Sequence, residues 1–342
     1  MAALEIFVAT FAIFVAAVIR YLRKNRGYLE SLGIPIVKPG VIFGSPPLIP
    51  HKVLIHEQTN DTFKKLGKTW GRYEGREPCI STIDPELVKC IMIKNFDCFT
   101  DTVEWEMPDN KITLDLSGGE KWKALRKVLS PTFTSGKLKT MLEPMDTVVD
   151  NLLKHLDQEV VKDPVVSVKS IFQTFSLDSI SVCAFGIGAN SFEDEQNQIL
   201  QWGKEMFSAF ICKTWIESVF AFIMQHFTFL TKFMNLYPEA YDKLYAVTKQ
   251  IMEERTLMNV EKEDFIGKLN RIIQNPEPPL TPEIIVAQGV IFFVAGYETT
   301  SSTLSSFSYN LARYPEVQVP VNIFLSMLIL KAKQQYYTFS IP

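Results

Sequence analysis

The sequence predicts a mainly α protein with a small β-sheet and an amino-terminal transmembrane anchor. Three observations predict it: an apolar stretch at the amino terminus with a basic collar behind it, helical periodicity over most of the remaining chain, and one very long helix with clear start and stop signals.

The 342 residues are 47% hydrophobic and 21% charged, a balance that suits a sizeable core and excludes a disordered or fibrous chain. The formal net charge of −3 argues against a nucleic-acid partner, because no basic stripe beyond the collar can neutralise phosphates. Five cysteines (Cys79, Cys90, Cys98, Cys183, Cys212) have no CxxC spacing and an odd count, which speaks against a disulfide framework. Walker A, GxGxxG, HExxH and GxSxG patterns are missing, and His51, His56, His155 and His226 are not spaced as ligands.

Ala2 to Ile19 is apolar apart from Glu5 and Thr10, and Arg20, Arg23, Lys24 and Arg26 follow it. Positive charge after the apolar run, with no A-x-A site, reads as an uncleaved anchor whose collar stays cytosolic; a buried helix is the competing reading. Pro35, Pro39, Pro46, Pro47 and Pro50 then forbid a helix and impose an extended, semi-rigid path. Trp70 to Ile83 reads as two short strands around Glu74-Gly75, and Asp84-Pro85-Glu86 as the capped start of a helix through about Ile93.

Glu120 to Leu129 forms a basic helix with Trp122 and Arg126 four apart on one face, ended by Pro131. The pair suits an anion; equally, Trp122 is a packing residue and Arg126 a surface cation. Helical periodicity recurs over Leu138–Val161, Val168–Phe185, Glu193–Ile211, Ala240–Asn259 and Asp264–Gln274. Trp215 to Leu236 is rich in phenylalanine and reads as an interfacial segment or a pair of core helices.

The long helix runs from Pro282 to about Tyr314, with Thr281 as cap, Glu283 at the positive end of the dipole and Pro315 as stop. Ile284 to Ala295 is apolar on nearly every side, so the first half is expected to be buried. From Gly296 to Ser306 the pattern breaks into Gly296, Glu298, Thr299, Thr300 and a run of serines. A carboxylate and poor helix formers in a core cost stability, which marks a functional site. The alternative is structural: hydroxyls bonded back to carbonyls one turn earlier, and a glutamate that reaches an arginine.

Ala295-Gly296-Tyr297-Glu298-Thr299-Thr300 resembles the oxygen-activating [AG]-G-x-[DE]-T-[TS] stretch of the cytochrome P-450 family. Trp122 and Arg126 resemble its W-x-x-x-R helix, and Leu129 to Met141 (LSPTFTSGKLKTM) with Phe99-Thr100-Asp101 is most similar to animal microsomal members, vertebrate family 3 and insect family 6. Ser181 to Ile187, Asp264-Phe265 and Leu311 to Gln318 fall in the family's order.

The resemblance implies the cytochrome P-450 fold, haem as cofactor and electrons from NADPH through a membrane-bound reductase. It implies that Trp122 and Arg126 bond a haem propionate, that Ala295 and Gly296 make room above the iron, and that Thr299 hydrogen-bonds bound oxygen or a water. Glu298 would relay protons from solvent, and Phe292 and Phe293 would wall a pocket for a lipophilic small molecule. It places the chain in the endoplasmic reticulum membrane, with residues 1–26 as anchor and collar, 27–50 as hinge, 51–318 as a partial catalytic domain and 319–342 as a divergent tail.

After Gln318 the family's E-x-x-R helix and cysteine loop are expected and are missing; Val319 to Pro342 has no glycine, cysteine or acid. No cysteine is therefore assigned to the iron, and the chain is expected to be an incomplete, inactive monooxygenase with exposed apolar surface on its central helix. The alternatives are a non-catalytic membrane-tethered protein that binds partners, and a helical lipid-binding protein built on the phenylalanine-rich stretch.

Asn60-Asp61-Thr62 is a glycosylation acceptor that a cytosolic domain leaves unmodified. Translation with microsomes is expected to give a product whose mobility endoglycosidase does not change; a shift would place the domain in the lumen.

Overall fold

The computed structural model describes residues 1–40, 44–45, 55–101, 107–188, 190–194, 197–209, 217, 219–220, 223–224, 237–274 and 276–321. The chain divides into two compact units: Met1–Pro108, Leu116–Trp122 and Ala209–Leu236 form the first; Asp109–Asp115, Lys123–Ser208 and Tyr237–Pro342 form the second.

In the first unit, α1 (Ala2–Leu22) has 21 residues, about 31 Å at the helical rise. Its Glu5–Leu22 window is long and apolar enough to cross a membrane, and only 6% of that window is buried in the protein. The base of α1 is tied down. Leu22 and Leu29, the latter on the one-turn helix α2 (Tyr28–Ser31), are buried. Leu29 packs by the antiparallel hairpin of β1 (Thr69–Glu74) and β2 (Glu77–Thr82), in which Trp70 faces Ser81 and Tyr73 faces Pro78.

Gly71 is needed here: a Cβ on it would sit 2.8 Å from Leu29 Cδ1. The described part of the proline-rich hinge is extended, as its composition demands, and is also paired with β1. Gly71 N donates to Pro35 O at 2.8 Å and Val37 N to Gly71 O at 2.9 Å. Pro46, Pro47 and Pro50 lie outside the described residues. Two more helices follow the expected chemistry. In α3 (Ile55–Leu66) Lys64 and Lys65 complement the carboxy-terminal dipole. In α4 (Pro85–Lys89) Asp84 accepts from Glu86 N and Leu87 N, and the helix continues as one π turn over Cys90–Lys94. The next helix, α5 (Gly119–Leu129), begins in the first unit and enters the second.

The second unit contains α6 (Ser135–Thr140), α7 (Leu142–Lys162), α8 (Val168–Phe185), α9 (Gln198–Ala209), α10 (Glu239–Leu257), α11 (Phe265–Ile273) and the rod α12 (Pro282–Arg313). The sequence pattern runs α6 and α7 together. They separate because Pro144 has no N–H and its ring would clash with the Thr140 carbonyl, a position tolerated only in a first turn. Likewise α9 starts later than its periodicity, where the Asn197 side chain accepts from Ile199 N at 2.9 Å and Leu200 N at 3.4 Å. The phenylalanine-rich stretch and its interfacial reading fall almost wholly outside the described residues.

Thr281 caps α12 by accepting from Ile284 N at 3.3 Å, and the first half of the helix is buried as expected. Past the middle it emerges, with Phe307 and Tyr309 exposed. Helix α8 lies along it: Ser176 Oγ donates to Tyr297 O at 2.8 Å, Ile180 fills the space a Gly296 side chain would need, and Phe185 meets Phe293 edge-on. Helix α10 approaches at Gly289, where a Cβ would collide with Thr248. The segment Asp109–Asp115 is held to the same rod. Gln288 Nε2 donates to Ile112 O at 3.0 Å, and its Oε1 accepts from Leu114 N at 2.9 Å.

A buried ion pair closes the far end of the bundle. The Arg255 guanidinium, 8% exposed, donates to both Asp264 oxygens at 2.7 and 2.9 Å and to Phe185 O. It thereby joins the ends of α8 and α10 to the cap of α11. Removing one member of such a pair leaves a charge uncompensated, so Arg255→Ala is expected to lower unfolding stability by about 3–5 kcal/mol in denaturant titration.

Candidate functional site

The middle of α12 keeps its helical form despite its composition because its hydroxyls turn back on the helix. Thr299 Oγ1 donates to Ala295 O at 2.5 Å, Thr303 Oγ1 to Thr299 O at 2.8 Å and Ser305 Oγ to Ser301 O at 2.6 Å. These bonds are the ones the structural reading expects, and the glutamate also reaches a cation, a lysine rather than an arginine.

Glu298 meets a lysine on α8. Lys169 Nζ donates to Glu298 Oε1 at 2.7 Å and Gln173 Nε2 to Oε2 at 3.0 Å, while Ser302 Oγ lies 3.2 Å from Oε1. Lys169 Nζ also reaches Ser301 Oγ at 3.1 Å and Ser302 Oγ at 2.7 Å. Burial opposes ionisation of Glu298. Hydrogen bonds from Lys169, Gln173 and Ser302, with the lysine charge, outweigh it and hold the carboxyl below the usual carboxylate range. The site therefore presents a carboxylate that stays ionised and accepts hydrogen bonds.

Thr299 stands next to Glu298 and, with Ala295 one turn before it, is exposed. Gly296 is half-buried and its missing side chain is accounted for by Ile180. Tyr297 is fully buried, and its hydroxyl has no hydrogen-bond partner among the described residues. Burial, then the Glu298 charge, raises its pKa, so it stays neutral.

Trp122 and Arg126 share one face of α5. Trp122 is half-buried against Phe96, 5.7 Å between ring centroids, whereas Arg126 is exposed and forms no ion pair among the described residues. Phe292 is stacked on Phe265 at 4.0 Å and lies 5.5 Å from Phe133; Phe293 is 3% exposed beside Phe185. Both rings serve the core. Trp122 and Arg126 share α5, and Ala295 through Thr299 share α12.

Sequence reading missed Lys169 and Gln173. They are 129 and 125 residues from Glu298. Their only trace is a cation and an amide four apart on a helix with other polar residues, which by itself names no partner.

The helices around α12 and the two-stranded hairpin make this a mainly helical protein with a minor sheet, the class the sequence predicts. Residues 34–322 match the family model Cytochrome P450. The chain is 32% identical over 308 residues to cytochrome P450 3A29 of Sus scrofa, covering 87% of this chain and 60% of that protein. With cytochrome P450 3A28 of Bos taurus the identity is 34% over 307 residues, and with cytochrome P450 3A9 of Rattus norvegicus 32% over 308, at the same coverage. The chain belongs to the cytochrome P450 family. It spans about 60% of the length of these curated relatives.

A carboxyl whose folded pKa is depressed stabilises the fold above its unfolded pKa of about 4.3, and that contribution is lost as pH falls through the folded value. Carbon-13 NMR of glutamate carboxyls is accordingly expected to show Glu298 titrating low. Lys169→Gln should move its midpoint upward; an unmoved midpoint would mean that the lysine does not govern the charge.

Proposed function

We propose that the chain is the oxygen-side portion of a membrane-bound, haem-dependent monooxygenase that oxidises lipophilic small molecules with O2 and electrons from NADPH, delivered by a reductase. The observation that carries it is the adjacent Glu298 and Thr299 on the central rod, one ionised and networked, the other on an open face beside Ala295. Haem, when bound, supplies oxygen activation and the oxidation of substrate carbon.

The residues present fit that group. Arg126 is a cation without an ion pair among the described residues, and the indole N–H of Trp122 lies one turn away; together they suit a haem carboxylate. Small, exposed Ala295 leaves the α12 face open beside Thr299, and Thr299 can trade its Ala295 carbonyl for an acceptor on that face; the space beside Gly296 is occupied by Ile180. Glu298 holds a site for a proton at Oε1 and Oε2, and Lys169, Gln173 and Ser302 keep it oriented. None of the five cysteines is assigned to the iron, since none is set among the glycines and arginine the family places around its ligand. The α1 helix is the anchor, in the endoplasmic reticulum membrane, with the main domain cytosolic.

A non-catalytic membrane-tethered protein that binds partners is the second reading. Titrating haem into the detergent-solubilised chain separates the two. The monooxygenase reading expects a saturable absorbance change, weakened roughly tenfold or more by Arg126→Ala, since a hydrogen bond to a charge contributes about 1.5–3 kcal/mol. Unsaturable uptake, or equal affinity in the variant, would favour the second reading.

A further inference from the structure

The first unit holds a cation that the protein leaves without an acceptor. Arg26 lies just past the end of α1, with its guanidinium over the Tyr73 ring, 5.8 Å from the centroid. Its Nε and Nη2 are buried, and neither has a hydrogen-bond partner among the described residues. No carboxylate among the described residues forms an ion pair with it. Glu30, the nearest candidate, accepts from the Tyr73 hydroxyl at 2.7 Å, and that hydroxyl accepts from Leu29 N at 3.0 Å.

The surroundings are fixed rather than adaptable. Tyr73 is fully buried, its amide bonds Ser45 Oγ at 3.1 Å, and β1 is paired on both sides at Gly71. Arg76 in the hairpin turn stacks on Tyr21 of α1, 4.4 Å from its centroid. Nε and Nη2 of a planar cation are therefore left without an acceptor among the described residues at the foot of α1, an arrangement that costs free energy until the side chain reaches one.

With α1 across a membrane, the reading proposed above and the one this inference rests on, Arg26 falls at the lipid headgroups, beside exposed Arg20, Arg23 and Lys24. The acceptor abundant at that level is the phosphate of a phospholipid, whose oxygens match the guanidinium fork. We propose that Arg26 is a phospholipid-phosphate site, in which the side chain turns from the Tyr73 ring and brings Nε and Nη2 to the phosphate at the foot of the anchor. Burial, then repulsion from Arg23, disfavours the Arg26 charge in the protein alone, and a bound anion relieves both.

The full chain is reconstituted into phosphatidylcholine vesicles, floated, extracted into mild detergent and weighed by native mass spectrometry. One retained phosphatidylcholine per chain is expected. Arg26→Gln should reduce retention at least tenfold with flotation unchanged, and Lys24→Gln should leave it unchanged. Hydrogen exchange over the hairpin checks that the variant is folded; if it is not, Arg26→Lys, which keeps the charge and loses the fork, takes its place with the same expected loss. Vesicles of galactolipid, which has no phosphate, should yield no retained lipid. Equal retention in the arginine variants, equal retention of galactolipid, or binding of soluble phosphocholine as tight as that of the lipid would overturn the proposal. A wild-type chain that does not float would overturn the membrane anchor itself.

Discussion

Everything in the second unit answers to one constraint, the seam between α8 and α12. Two helices can approach this closely only where one has no side chain, and Gly296 gives that opening to Ile180. The same seam carries the Ser176 bond to the Tyr297 carbonyl and the Lys169 and Gln173 bonds to Glu298. Packing and charge placement are therefore set by one contact. The glycine that the family resemblance ties to oxygen has an ordinary steric duty at this seam.

Much of this architecture was legible because it depends on local chemistry. Thr281 and Pro282 start α12, Asp84 and Pro85 start α4, and Gly75 turns the hairpin, each through a preference confined to a few residues. What could not be read depends on distant partners. Lys169 looks like any solvated lysine until α12 is laid beside it, and Arg255 looks like a helix-end cation until Asp264 folds back. Pro144 was a miss of another kind: periodicity continues through it, while its missing N–H divides α6 from α7. Phe292 and Phe293 belong to a phenylalanine-rich helix face, whose pattern is the same for a core and for a pocket wall.

The first unit shows how a proline-rich stretch can be extended without being loose. Its backbone cannot donate at the prolines, yet Pro35 still offers a carbonyl and Val37 an amide, and β1 takes both. The described part of the proline-rich stretch and the hairpin thus meet beside buried Leu29 and Tyr73.

Gln288 ties this geometry to time. Its side-chain amide gives Ile112 and Leu114 the donor and acceptor that a neighbouring strand would give, across 176 and 174 residues of sequence. At a synthesis rate of about 5–20 residues per second the ribosome needs roughly 9–35 s to cover that separation. Over that interval the segment Asp109–Asp115 has emerged and its partner has not. The stretch leading into α5 is thus among the last pieces to find its place, and a nascent chain exposes it to chaperones for most of its own translation.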